Sequence, residues 1–186
     1  NNLKIGVRLA LGFGIAIFLM IILSIVSLNS ISSIGNDVDT IIHERFPNTV
    51  YANNYIDAIN EAASVVRDYI ISDDNYAKSQ AKEKLSELAK IADAMTDSLE
   101  KGMDSDKGRM LLSEMTSIRK GDYYKTRTEM FRQIDTGNKS EAIRILNGEY
   151  ASAQSEYLAK IREMIDYQIG LLHQAGQEAD DARGFV

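Results

Sequence analysis

The chain has 186 residues, with 21 Lys and Arg against 27 Asp and Glu, for a formal net charge of −6. Cysteine is absent, which excludes a disulfide framework and a thiolate metal site, and the acidic balance argues against nucleic acid as a partner. With 45% hydrophobic residues, 26% charged residues and a single proline, the composition is that of an ordered, helical chain.

The first element is the run Leu9 to Leu28, LALGFGIAIFLMIILSIVSL, twenty residues without a charge that follow Lys4 and Arg8. At ~1.5 Å per residue it spans a ~30 Å hydrocarbon core, and in lipid a helix is the state that satisfies its own backbone. A cleaved signal has an apolar core of ~7–15 residues and then a small-residue cleavage site. This run is longer, and Asn29-Ser30-Ile31-Ser32-Ser33-Ile34 reads as continuing helix, so an uncleaved anchor is expected. The basic lead predicts a cytoplasmic N-terminus. Three parts follow: 1–8 as a cytoplasmic lead, 9–28 as a transmembrane helix in the inner (cytoplasmic) membrane, and 29–186 as a domain in the periplasm or outside the cell. Removing the +2 of Lys4 and Arg8 from −6 leaves −8 on that domain.

Four helical stretches come next. The first continues out of the membrane through Ile31, Ile34, Val38, Ile41 and Ile42. Pro47 predicts a kink or brief break near His43 to Asn48, after which Tyr55, Ile56, Ile59, Ala63, Val66 and Ile70 resume steps of three and four. Ser72-Asp73-Asp74-Asn75 is a cluster of turn and N-cap residues. The second stretch is marked by Leu85, Leu88, Ile91, Met95 and Leu99, and Lys101-Gly102-Met103-Asp104-Ser105 supplies a C-cap glycine and a new N-cap. The third runs through Leu111, Leu112, Met115, Ile118, Met130, Phe131 and Ile134 to Gly137. Asn138 with Glu141 suggests a capping box opening the fourth, whose stripe is Ala142, Leu146, Tyr150, Ala153, Tyr157, Ile161, Met164, Ile165, Leu171, Leu172 and Ala175.

Short breaks between long helices make sequential neighbours antiparallel. The expected fold is all-α: an up-down-up-down four-helix bundle whose first helix continues from the transmembrane helix. Both chain ends are then at the membrane end, and a second spanning helix is the natural continuation of a longer receptor.

Leu3-Lys4-Ile5-Gly6-Val7-Arg8-Leu9 with Gly12-Phe13-Gly14 resembles the N-terminus of bacterial methyl-accepting chemotaxis proteins of the four-helix-bundle sensor class. Pro47 opening the compact part of the first helix, Val66 to Asp74 at the first distal turn and Gly137 to Ala142 at the third-to-fourth junction resemble the same family. The resemblance implies a periplasmic sensor that dimerises through its first helix and binds organic acids or amino acids in its membrane-distal half. A second membrane helix, a linker domain and a cytoplasmic signalling coiled coil would follow, so cytoplasmic partners are reached only through parts beyond this chain. The same input bundle also sits on sensor kinases and cyclic-dinucleotide enzymes, and a non-sensing structural bundle is a further alternative.

The sequence offers no catalytic constellation, no cofactor motif and no metal-ligand spacing; His43 and His173 lie far apart and read as surface or interface residues. The chemical signal is on the third helix. Its apolar stripe turns polar in mid-course, and Arg119, Tyr123 and Arg127 share one face at i, i+4 and i+8. A guanidinium presents a planar fork that matches a carboxylate, and an inward arginine without an acid needs an anion. The alternative is that each arginine pairs with an acid on a neighbouring helix or reaches water along its stem. Arg67, one turn before the end of the first helix, is placed to face the same distal region. Tyr157, seven residues after Tyr150 in the fourth stripe, is either a core residue with its hydroxyl bonded or a ligand contact. Family members use arginines on the first and third helices and hydroxyl side chains, and the resemblance carries this onto Arg67, Tyr123, Arg127 and Tyr157. The expected ligand is a small anion.

Overall fold

The computed structural model describes residues 5–183, and every regular element among them is helical. Lys4 of the basic lead and residues 184–186 lie outside the described residues. In chain order the elements are α1 (Ile5–Thr40), a π-helical turn Ile41–Arg45, α2 (Phe46–Ile71), α3 (Asn75–Lys101) and α4 (Asp106–Ile118). A kinked turn, Arg119–Tyr123, leads into α5 (Tyr124–Asp135), and α6 (Lys139–Ile145) is joined through a second π turn, Leu146–Tyr150, to α7 (Ala151–Arg183). Since no loop separates the helices on either side of these turns, the chain forms four rods: α1–α2, α3, α4–α5 and α6–α7. The four expected stretches are all present. The turns Ile41–Arg45 and Leu146–Tyr150 each insert an extra residue, whereas Arg119–Tyr123 is a kink at Gly121, which leaves helical dihedrals; only the first, close to the break expected near Pro47, was legible in the sequence.

The described residues fall into two compact units. One is 44–171 and holds parts of all four rods. The other is α1 with the start of the π turn, up to His43, together with α7 from Leu172. Within it, the segment beginning at Leu9 is long and apolar enough to cross a bilayer. Phe13, Phe18 and Leu23 are exposed, as lipid-facing side chains are. Nearer the other end of α1, Ile34 and Val38 become half-buried, and Ala175 and Ala179 on α7 are buried.

Local chemistry fixes the turns of the 44–171 unit. Pro47 lies in the first turn of α2, where its missing N–H breaks no helical bond; the irregularity is the π turn just ahead of it. Asp74 caps α3 by accepting from Tyr76 N at 2.9 Å, and Lys139 Nζ ties the α5–α6 junction to this tip through Asp73 at 2.8 Å and Ile71 O at 3.0 Å. Ser105 caps α4 by accepting from Gly108 N at 3.0 Å. Gly102 ends α3 at φ −89, not in a left-handed cap. It is glycine because buried Asn48 donates to its carbonyl at 2.9 Å, and a Cβ there would lie 2.3 Å from Asn48 Oδ1. Gly137 does take the left-handed conformation, at φ +81, and reverses the chain between α5 and α6. The capping box expected at Asn138 does not form: its amide donates to Gln133 Oε1 at 3.0 Å, and Glu141 is held by Arg144 at 2.8 Å.

The core follows the apolar stripes closely. Tyr55, Ile59, Val66, Ile70, Leu85, Leu88, Leu99, Leu111, Met115, Met130, Tyr150, Ile161 and Met164 are buried, and each large aliphatic contributes ~1.5–3 kcal/mol of transfer free energy; in the fourth stripe Ile145 is buried where Leu146 was expected, and Leu146 is half-buried. Ile91 departs from its expected place. It is 37% exposed, and Ala92 beside it is fully buried.

Candidate functional site

The third rod carries Leu111, Leu112 and Met115 into the core and then turns polar. At this point the helix kinks in the Arg119–Tyr123 turn: Gly121 leaves helical dihedrals at φ −84, ψ −118, and Tyr124 N donates to the Gly121 carbonyl. The rod and its neighbours enclose a cleft of about 250 Å³. One wall is apolar, made by Ile59 and Ala62 of α2 with Leu85, Leu88, Ala89 and Ala92 of α3. The other is polar, made by Arg119, Tyr123, Tyr124 and Arg127, with Asp93 of α3 at the rim.

The two arginines are held differently. Arg119 donates to Asp93 Oδ1 at 2.7 Å and to the Ala89 carbonyl at 3.1 Å. Its side chain is 18% exposed and that of Asp93 is 68% exposed, so the pair reaches from the cleft to solvent. Arg127 is half-buried and has no ion pair among the described residues. Its guanidinium lies over the rings of Tyr124 and Tyr123, at 5.3 and 5.9 Å from their centroids. The electron-rich ring faces hold the cation in place without neutralising it.

Behind this wall lies a cluster of buried tyrosines. Tyr150 donates to the Tyr123 hydroxyl at 3.1 Å, and the Tyr55 and Tyr157 hydroxyls bond to each other. The Tyr123 ring stacks on Tyr150 at 5.4 Å and packs against Tyr157 at 5.0 Å. Burial pushes the Tyr123, Tyr150 and Tyr157 phenols above their usual range; the arginines pull the other way and lose. At neutral pH these groups are uncharged. The open face of the cleft therefore presents cations and neutral hydroxyl groups, with Asp93 as its single acid.

The structure brings Arg119, Tyr123 and Arg127 together as the spacing implied. Tyr157 is fully buried, bonded to Tyr55, and does not line the cleft. Arg67 is exposed and does not line it either, although its charge, like that of Arg127, acts on the Tyr150 hydroxyl. Asp93 and Tyr124 are site residues that the sequence reading missed. Asp93 sits one residue past buried Ala92, at the edge of the stripe, and Tyr124 is an exposed neighbour of buried Tyr123. His43 and His173 are exposed, and His43 pairs with Asp39 at 2.9 Å. Among the described residues no group of three or more His, Cys, Asp or Glu is arranged to hold a metal.

A comparison with curated proteins returned no match. The model of one family, described as a four helix bundle sensory module for signal transduction, matches residues 2–182. The helical bundle, the membrane-length first helix and this match across nearly the whole chain agree with one another. The chain belongs to the four-helix-bundle sensory modules of methyl-accepting chemotaxis proteins, a family of signalling input domains.

Proposed function

We propose that the chain is the sensor domain of a membrane-anchored chemoreceptor and that its cleft binds a small anion, an organic acid or an amino acid, outside the cytoplasm. The observation that carries this reading is Arg127: a half-buried guanidinium that lies over two aromatic rings and has no acid partner among the described residues. Holding a cation away from water without a counter-charge is costly, and a ligand carboxylate would supply two charge-assisted bonds at once. The hydroxyl of Tyr123 and one edge of Arg119 are the next donors, and the alanine and leucine wall suits the apolar part of the ligand. Arg67 and Tyr157 act at one remove in this reading, through the Tyr150 and Tyr55 hydroxyls.

Residues 1–8 are the cytoplasmic lead, 9–28 the membrane span and 29–186 the sensing part, working as a homodimer. Binding alters the bundle by favouring one of two helix arrangements; the ligand needs only unequal affinity for them. The displaced fourth rod then carries the change across the membrane.

The test is calorimetric titration of the full chain in nanodiscs against a panel of carboxylates and amino acids. A binder is expected, and Arg127→Ala should weaken it by about tenfold to a hundredfold, the value of hydrogen bonds to a charged partner. Unchanged affinity in that variant removes the cleft from the reading.

A further inference from the structure

The polar wall of the cleft is rich in donors and short of free acceptors. The guanidinium groups of Arg119 and Arg127 only donate. The Asp93 carboxylate and the Ala89 carbonyl, both on residues that line the cleft, already accept from Arg119, at 2.7 and 3.1 Å. Tyr123 lies beneath Arg127 and is 3% exposed. A hydroxyl can donate or accept, so what this wall asks of a ligand depends on which way the Tyr123 proton points.

That direction is set from behind the wall. Tyr150 is buried and does not line the cleft. Its hydroxyl donates to the Tyr123 oxygen at 3.1 Å, so Tyr123 is the acceptor of this bond and keeps its own proton. Among the described residues that proton has no acceptor. The charges of Arg127 and Arg67 both act on the Tyr150 hydroxyl. Nearby cations favour the arrangement in which the oxygen faces them and the proton points away, which suits donation to Tyr123. A buried phenol proton without an acceptor is costly, and a ligand acceptor in the cleft would remove the cost.

We propose that the cleft selects carboxylic acids bearing an acceptor, and no ammonium, beside the carboxylate, and that Tyr150 is the positioning residue that sets this choice by holding Tyr123 as a donor. The proposal rests on the anion-binding function above and narrows it from organic acids and amino acids to organic acids. With the carboxylate on Arg127, a neighbouring carbonyl oxygen accepts from Tyr123. An ammonium in that place meets the Tyr123 proton and the two guanidinium groups, a juxtaposition of donors and like charges that disfavours it. The aliphatic wall opposite, with Ile59, Leu85 and Leu88, suits a branched aliphatic body.

Calorimetric titration of the full chain in nanodiscs tests this with probes that share one isobutyl body: 4-methyl-2-oxopentanoate, 4-methylpentanoate and leucine. The oxo acid is expected to bind about tenfold more tightly than the plain acid, the worth of one hydrogen bond in a buried site, and leucine more weakly than either. Tyr150→Phe keeps the ring and frees the Tyr123 hydroxyl to accept as well as donate. It should shrink the ratio of oxo-acid to leucine affinity several-fold, whereas a merely loosened bundle weakens all three probes alike and leaves the ratio as it was. Tyr123→Phe should shrink it at least as far, and adding Tyr150→Phe to that variant should change the ratio no further, because Tyr150 acts only through Tyr123. Leucine binding as tightly as the oxo acid, or a ratio unchanged by Tyr150→Phe, overturns the proposal. If Arg127→Ala still weakens binding in that case, anion binding itself stands. Binding of none of the three probes overturns the proposal too, and the anion-binding reading is then judged on the wider panel.

Discussion

Raising the pH into the range where free phenols ionise is expected to unfold the bundle steeply. An unfolded tyrosine loses its proton near pH ~10. In the folded chain, burial pushes the Tyr123, Tyr150 and Tyr157 hydroxyls above that value, most strongly for Tyr150 and Tyr157. Burial and the Asp135 carboxylate do the same to Tyr69. A group whose folded pKa is raised contributes stability that is intact below the unfolded pKa and lost as the pH rises towards the folded one. In that window the unfolded chain binds fewer protons than the native one, and each such tyrosine lowers stability by about 1.4 kcal/mol per pH unit. For Tyr150 and Tyr157 together the loss at pH ~11 is about 3 kcal/mol, a large share of the ~5–15 kcal/mol that holds a typical domain together. Urea titrations followed by circular dichroism from about pH 8 to about pH 11.5 measure this loss, and phenolate absorbance reports the ionisation. Lysines with raised pKa, such as Lys82 and Lys160, act in the same direction, so the tyrosine share is isolated by substitution. Tyr150→Phe and Tyr157→Phe should each flatten the slope by about 1.4 kcal/mol per pH unit. If all nine tyrosines ionise together near pH ~10 while the helical signal persists, the hydroxyls under the cleft are not shielded and the argument fails.

Two substitutions probe the cleft and its frame. Asp93→Asn removes the acid that competes for Arg119, so the carboxylate found in the panel should bind a few-fold more tightly in calorimetry, in line with the ~0.2–1 kcal/mol of an exposed ion pair; weaker binding means that Asp93 itself holds the ligand. Gly102→Ala places a Cβ 2.3 Å from Asn48 Oδ1 and disrupts the bond from Asn48 to the Gly102 carbonyl. The cost of about 1–3 kcal/mol should lower the melting temperature by several degrees, at ~2–4 °C per kcal/mol for a chain of this size. A melting temperature equal to that of the wild type means that Asn48 yields freely.

The fold was legible because helices declare themselves through period and punctuation. Pro47, the Ser72 to Asn75 cluster, Ser105 and Gly137 all mark real boundaries, and the stripes between them are the core. What stayed hidden depends on partners remote in sequence. Nothing near Ile91 reveals that Ala92 beside it takes the buried position instead. Glu141 sits where a capping box needs it, but Arg144 three residues on holds it instead. The irregular turns at Arg119–Tyr123 and Leu146–Tyr150 were missed because the apolar steps stay intact on either side of them. In the cleft, Arg119, Tyr123 and Arg127 were readable as one face of one helix, whereas Asp93, 26 residues from Arg119, was not. Arg67 shows the limit of placing residues by height alone: its position along the rod suits the site, but it projects from a different face.

Under the anion-binding function proposed above, the unequal treatment of the two arginines decides what kind of ligand the cleft suits. A pocket with two open guanidinium groups on a chain of net charge −6 would attract buffer anions without discrimination. Here Asp93 latches Arg119, so its cleft-facing charge is largely met, and only Arg127 is open. At physiological ionic strength charges are screened over ~8 Å, so recognition has to come from contacts inside the cleft. One free fork selects one carboxylate. The six aliphatic residues opposite select an apolar body beside it, since a second charge there would be buried without a partner. A second anionic group could be accepted only at Arg119, by displacing Asp93 into the solvent that its carboxylate already touches. On that proposal, the same latch would give a ligand with two well-spaced acids a way to alter how α3 and the third rod are joined. That junction ends at Arg119, the first residue of the turn whose last residue is Tyr123.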